Sequence, residues 1–173
     1  MSMTRRLFLG TSTAIMGAGA MGFLGLFGQA SRTLAGAAFE VVRSNDEWRH
    51  LLTPEQYRVL RDHGTERAGT SPLDREKRAG TFACAGCDLP LFASDKKFDS
   101  GTGWPSFWIP LENAIGTSED NSLFGKRTEV HCRRCGGHLG HVFDDGPKPT
   151  GLRYCMNGVA MKFVPVAVTG QAS

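Results

Sequence analysis

The sequence predicts a compact, mainly β domain of antiparallel strands behind two short N-terminal helices. Three observations carry this. No long helical period recurs beyond position 64; short apolar runs there alternate with Gly, Pro, Asn and Asp turns; and two C-x-x-C pairs, Cys84/Cys87 and Cys132/Cys135, read as tight knuckles. At 173 residues the chain has one-domain length.

Residues 1–37 stand apart from that domain. "TRRLFLG" (4–10) is followed by an uncharged, Gly- and Ala-rich stretch, and Arg32 is the next charge. The segment resembles a twin-arginine export signal, with "AGA" (35–37) offering small residues for cleavage after Ala37. A retained membrane anchor is the alternative, since the apolar stretch exceeds the ~20 residues of a spanning helix. Its glycines, however, make a poor stable helix. On either reading the body, residues 38–173 with a core of about 44–168, is expected in the periplasm, touching membrane only if the segment is kept. A twin-arginine substrate crosses folded, so metal loaded in the cytoplasm would protect thiolates before they meet an oxidising compartment.

Charge follows the same division. Arg5, Arg6 and Arg32 lie in that segment and no acidic residue does, so 20 basic against 17 acidic residues overall becomes 17 against 17 in the body. A neutral body without Lys/Arg runs gives no footing for phosphate-backbone binding, and nucleic acid is not an expected partner.

Two helices open the body. "SNDEW" (44–48) has the Ser-x-x-Glu capping box, and "TPEQ" (53–56) repeats it with Thr as N-cap, Pro at the first helical position and Gln three residues on. Leu51, Leu52, Tyr57, Val59 and Leu60 give an apolar face, and Gly64 is expected to stop the second helix. Residues 69–80 read as a surface loop. Strands are expected at "TFACA" (81–85), "EVHC" (129–132), "HVFDD" (141–145) and "MKFVPVAV" (161–168).

In "CAGC" and "CRRC" the second cysteine is followed by turn-forming residues, Asp88 and Gly136-Gly137, which suits four thiolates converging on one closed, structural Zn²⁺. Two disulfides, or a redox-active C-x-x-C, are the alternatives. A thioredoxin-like motif needs a helix after its first cysteine, and Pro90 argues against one. The gap from Cys87 to Cys132 requires tertiary structure to bring the knuckles together.

Cys155, in "GLRYCMNG" (151–158), has no sequence partner. His138 and His141 lie upstream, Arg153 shares a strand face with Cys155 and adds positive potential, and Asn157 follows. Cys/His combinations supply both a thiolate and a proton source. An inert buried thiol and satisfied core histidines are the plain alternatives, and spacing alone leaves both open.

"TPEQYRVLRDHGTE", "FACAGCDLPLFASDKKFDSGTGWPSF", "CRRCGGHLGHVFDDGP" and "GLRYCMNG", in that order, closely resemble the B-type methionine sulfoxide reductases over roughly residues 44–168. The nucleophile motif of the unrelated A-type enzymes is absent. The resemblance implies two antiparallel sheets and reduction of the R epimer of methionine sulfoxide in oxidised proteins. It implies Cys155 as nucleophile, His141 as proton donor with His138 beside it, and Trp104, supported by Phe107, as the wall for the substrate's methyl group. Arg153 and Asp145 match a charged pair shaping the site, and Asn157 a group orienting its polar network. The resulting sulfenic acid needs a reductant. Relatives often carry a resolving cysteine in the "SGxGW" loop, but Thr102 stands there, so a thioredoxin-like protein or a small thiol is expected as partner. Gly158 is a second departure, where relatives usually have Ser. A monomer is expected. Two rival classes are a zinc-stabilised binding module, with Cys155 unreactive, and a periplasmic thiol oxidoreductase, with one C-x-x-C metal-free and cycling.

Overall fold

The structure, a computed structural model, describes residues 39–122 and 125–167; the expected export segment, residues 1–37, lies outside them. Both capping boxes form. Ser44 Oγ accepts the Glu47 N–H while the Glu47 carboxylate accepts the Ser44 N–H, which starts helix α1, Asn45–Leu51. Thr53 and Gln56 do the same for helix α2, Pro54–Leu60, with Pro54 in its first turn. The two helices bury Trp48, Tyr57, Val59 and Leu60 against the sheets.

Helix α2 stops earlier than expected. It ends at Leu60; the left-handed residue of the exit is His63 (φ 54°), and the Gly64 N–H bonds back to the Arg58 carbonyl at 2.9 Å. Glycine is needed there for space, because a Cβ would press on Arg58.

Among the described residues nine strands follow: β1 Gly80–Cys84, β2 Pro90–Ala93, β3 Lys97–Phe98, β4 Ser106–Phe107, β5 Ile115–Asp120, β6 Arg127–Cys132, β7 His138–Phe143, β8 Arg153–Met156 and β9 Met161–Pro165. They form two antiparallel sheets, β2-β1-β9 and β3-β4-β8-β7-β6-β5. The expected strand at 141–145 starts three residues earlier and ends at Phe143, and that at 161–168 ends at Pro165. Between the sheets lies an apolar core that includes Phe82, Leu91, Phe92, Phe107, Val130, Leu139 and Met156, all fully buried. Phe92 stacks on Phe107 with ring centroids 4.3 Å apart, and Phe82 meets Phe107 edge-on at 4.9 Å. No helix among the described residues is long and apolar enough to cross a membrane.

Candidate active site and cysteine cluster

The two knuckles are built alike and come one from each sheet. Cys84 and Cys87 lie at the β1–β2 turn, Cys132 and Cys135 at the β6–β7 turn. In each, the residue after the second cysteine turns left-handed, Asp88 (φ 61°) and Gly136 (φ 68°), and its N–H returns to the carbonyl of the first cysteine at 3.0 and 2.8 Å. The four sulfurs lie within 4.8 Å of one another, and contacts join opposite knuckles: Cys84 to Cys135 at 3.7 Å and Cys87 to Cys132 at 3.5 Å. All five cysteines are free thiols. Like charges this close cannot coexist unaided: hydrogen bonds from the other sulfurs favour a Cys87 thiolate, while the same sulfurs push Cys84 up. A set of four convergent sulfurs, three of them on buried cysteines and Cys87 half-buried, is the donor set of a tetrahedral, closed metal site.

The second site grows from strand register. In antiparallel pairs, directly opposed residues point to the same face. Here Ser106 of β4 opposes Cys155 of β8, Cys155 opposes His141 of β7, His141 opposes Glu129 of β6, and Glu129 opposes Ser118 of β5. One polar row thus crosses five strands, with the thiol in it. Close approach of β7 and β8 depends on Gly140, where a Cβ would collide with the Cys155 carbonyl oxygen. A regular strand would turn His138, three residues from His141, to the opposite face. The register shift at Val130/His131 pairs His138 with His131 and returns it to the row.

Cys155 opens into a cavity of about 230 Å³ bordered by Trp104, Phe143, His141, Arg127 and Asn157. Burial pushes its thiol above the ordinary value. The Thr102 hydroxyl, the Arg153 charge and the Ser106 hydroxyl pull the other way. Thr102 Oγ1 lies 3.9 Å from Sγ and belongs to a hydroxyl chain, 2.8 Å from Ser100 Oγ, itself 2.7 Å from Ser106 Oγ. Nε2 of His141 lies 2.7 Å from Asp120 Oδ2, which also receives Arg127 at 2.7 Å. Asp120 is held far below the carboxylate range, first by His141. Burial lowers His141 below the ordinary imidazole value although Asp120 opposes this. His138 is 2% exposed, its Nδ1 is 2.7 Å from Glu129 Oε1, and its Nε2 has no partner among the described residues.

Cys155, His141, Trp104 and Asn157 therefore meet at one cavity. Arg153 shares the Cys155 face and is fixed by a bidentate pair to Asp145, both bonds 2.8 Å, with its guanidinium 4.4 Å from the Phe143 ring centroid. Phe107 is not part of the aromatic wall of this cavity. It alternates with Ser106 on β4, so when Ser106 faces Cys155 its neighbour faces the core, where it is 0% exposed. Phe143 takes that place in the wall. Asn157 does not face the cavity with a spare amide: Oδ1 accepts the Glu66 N–H at 2.8 Å and Nδ2 donates to the Leu139 carbonyl at 3.0 Å.

Sequence reasoning missed Glu66. Its carbonyl accepts the Trp104 indole N–H at 3.2 Å, and its buried carboxylate accepts the Gly158 and Val159 N–H groups at 2.6 and 2.9 Å. It ties the aromatic wall to the turn after β8, and the only sequence hint was its place as the last residue of the motif "TPEQYRVLRDHGTE", to which no role was given. Asp120 and Arg127 were missed because only strand pairing brings them beneath His141. Gly158 also finds a reason: a Cβ there would collide with Ser71 Oγ, so the serine at 71 fills the space a residue 158 side chain would need.

Comparison with known proteins places these features. The SelR domain family matches residues 52–165. The chain is 55% identical over 128 residues, 73% of its length and 95% of the relative's, to the peptide methionine sulfoxide reductase MsrB of Agrobacterium fabrum. It is 52% identical to the protein of that name from Leptospira interrogans, over 72% of this chain and 96% of the relative. With the one from Pseudomonas putida it shares 55% identity, over 73% and 96%.

Proposed function

Because the chain belongs to the B-type peptide methionine sulfoxide reductases, we propose that it reduces the R epimer of methionine sulfoxide in oxidised proteins, with Cys155 as nucleophile. The observation that carries this assignment is the juxtaposition at one cavity of Cys155, an apolar wall of Trp104 and Phe143, and His141 braced by Asp120.

The sulfoxide methyl lies against the indole and phenyl rings while its oxygen faces His141. This contrast between an apolar and a polar wall selects the epimer. The Cys155 thiolate attacks the sulfoxide sulfur. His141 delivers a proton to the oxygen: the Asp120 carboxylate behind the ring stabilises the imidazolium, burial opposes it, and the lowered pKa makes a scarcer but stronger acid. The net reaction moves one oxygen. Methionine sulfoxide becomes methionine and the Cys155 thiol becomes sulfenic acid. Thr102, not a second thiol, stands 3.9 Å from Sγ, and the other four cysteines are occupied with one another. An external thiol, from a thioredoxin-like protein or a small reductant, then attacks Sγ, releases water and forms a mixed disulfide. A second thiol, from the same reductant or from another molecule of it, attacks the mixed disulfide, releases the Cys155 thiolate and leaves as the reductant's disulfide. Cys84, Cys87, Cys132 and Cys135 would hold one structural Zn²⁺, which would add folding energy and leave no open position for chemistry.

Stereospecific assays test the assignment. The chain should consume methionine-R-sulfoxide and leave the S epimer, and Cys155→Ser should abolish turnover; equal use of both epimers would overturn the selectivity. One turnover without reductant should leave sulfenic acid on Cys155 and no intramolecular disulfide. Action outside the cytoplasm rests on residues 1–37 alone, and a folded reporter carrying them should be exported unless Arg5 and Arg6 are both changed to Lys.

A further inference from the structure

Beside the cysteine cavity lies a second group of metal-ligating side chains. Glu129 Oε1 is 2.7 Å from Nδ1 of His138 and 3.0 Å from Nδ1 of His63. One donor atom from each of the three residues lies within 4.8 Å of the others. The second carboxylate oxygen is fixed by the Ser118 hydroxyl at 2.6 Å. The group borders a separate cavity of about 310 Å³, shared with Thr65, Asp120 and His141.

We propose that His63, Glu129 and His138 form a binding site for one divalent transition ion of the zinc class, distinct from the four-cysteine site. Two imidazole nitrogens and one carboxylate oxygen suit zinc, nickel or copper, whereas magnesium and calcium favour all-oxygen shells. Bonds of about 2.0–2.1 Å to a tetrahedral ion set donors roughly 3.3 Å apart, so the observed 2.7 and 3.0 Å separations would have to open by about 0.6 and 0.3 Å. The inner half is preformed: the His138 and Glu129 side chains are 2% and 11% exposed. Ser118 supplies the outer hydrogen bond that orients a ligating carboxylate. The outer half is the way in, since the His63 side chain is 63% exposed. The ion would replace the protons that now link the imidazoles to the carboxylate, and three protein ligands leave a position for water. The inference concerns binding and does not depend on the reductase reading.

Titration of the full chain with Zn²⁺, counted by native mass spectrometry and calorimetry, tests it. A second equivalent is expected beyond the four-cysteine site. Co²⁺ added to zinc-loaded protein should give ligand-field bands without thiolate charge transfer. His63→Ala should weaken the second equivalent by more than the 10–100-fold that loss of an outer hydrogen-bond partner costs, with only a small drop in melting temperature because the His63 side chain is largely exposed and its pair with Glu129 contributes little to stability. His50→Ala, another exposed histidine, should keep it. A wild-type chain that stops at one equivalent, or a second equivalent that survives His63→Ala undiminished, overturns the site.

Discussion

Four of the five cysteines and the fifth live in opposite surroundings. The four knuckle sulfurs have one another as neighbours, at 3.5 and 3.7 Å across the cluster, and close on themselves at the junction of the two sheets. Cys155 has hydroxyls, a guanidinium and an imidazole for neighbours and opens into a cavity walled by aromatic rings. The residue type is the same. What differs is whether a sulfur's charge is absorbed by a closed set of like groups or left to be spent on a molecule entering from outside. A closed set needs a cation or a shared proton and gains stability from it; a lone thiol among donors gains reactivity.

The comparison can be broken most forcefully at the cluster. If the cluster holds the proposed zinc, Cys132→Ser should lose it and with it much of the fold, because structural zinc contributes folding energy of about 10 kcal/mol or more in small domains. Metal content and melting temperature are the readouts, and a stable, active, metal-free variant would show the cluster to be dispensable. The next effect lies at the open site, where a chemical defect without a structural one is expected. His141→Ala should slow single-turnover reduction by about 10²–10⁴-fold, the usual contribution of a positioned proton donor, with melting little changed. An unaltered rate would transfer the role to His138 or water.

Thr102 sharpens the contrast with two smaller effects. Thr102→Cys introduces a second sulfur beside Cys155, and one turnover without reductant should then end in a 102–155 disulfide seen by mass spectrometry. Thr102→Val removes a hydroxyl that favours the thiolate. In the native chain burial holds the thiol above its ordinary value, so alkylation of Cys155 should be slow at neutral pH and rise on the alkaline side. Because the Thr102 hydroxyl counters that shift, its loss should move the alkylation profile to still higher pH. A profile that stays put would mean the 3.9 Å contact carries no charge stabilisation.

How far the sequence could be read differs between the two regions for a physical reason. The helices and the knuckles are written in local chemistry: Ser44 and Glu47, or Cys84 and Asp88, close their own turns within three or four residues. The motifs around Cys155 and Trp104 were legible as a resemblance, which named residues without arranging them. Phe107 shows the limit. It adjoins the site in sequence, yet a period of two sends it to the core and leaves the wall to Phe143, 36 positions on.

By itself, the sequence determined the β-rich class, the two capped helices, the paired cysteines and the solitary Cys155, because each rests on composition or on bonds between near neighbours. Only the tertiary structure decided which side chains meet. Strand register aligned Ser106, Cys155, His141, Glu129 and Ser118 across five strands, the shift at Val130/His131 turned His138 into that row, and Glu66 joined Trp104 to the turn after β8. Register is fixed by burying one face of every strand at once, and no local stretch of sequence contains that condition.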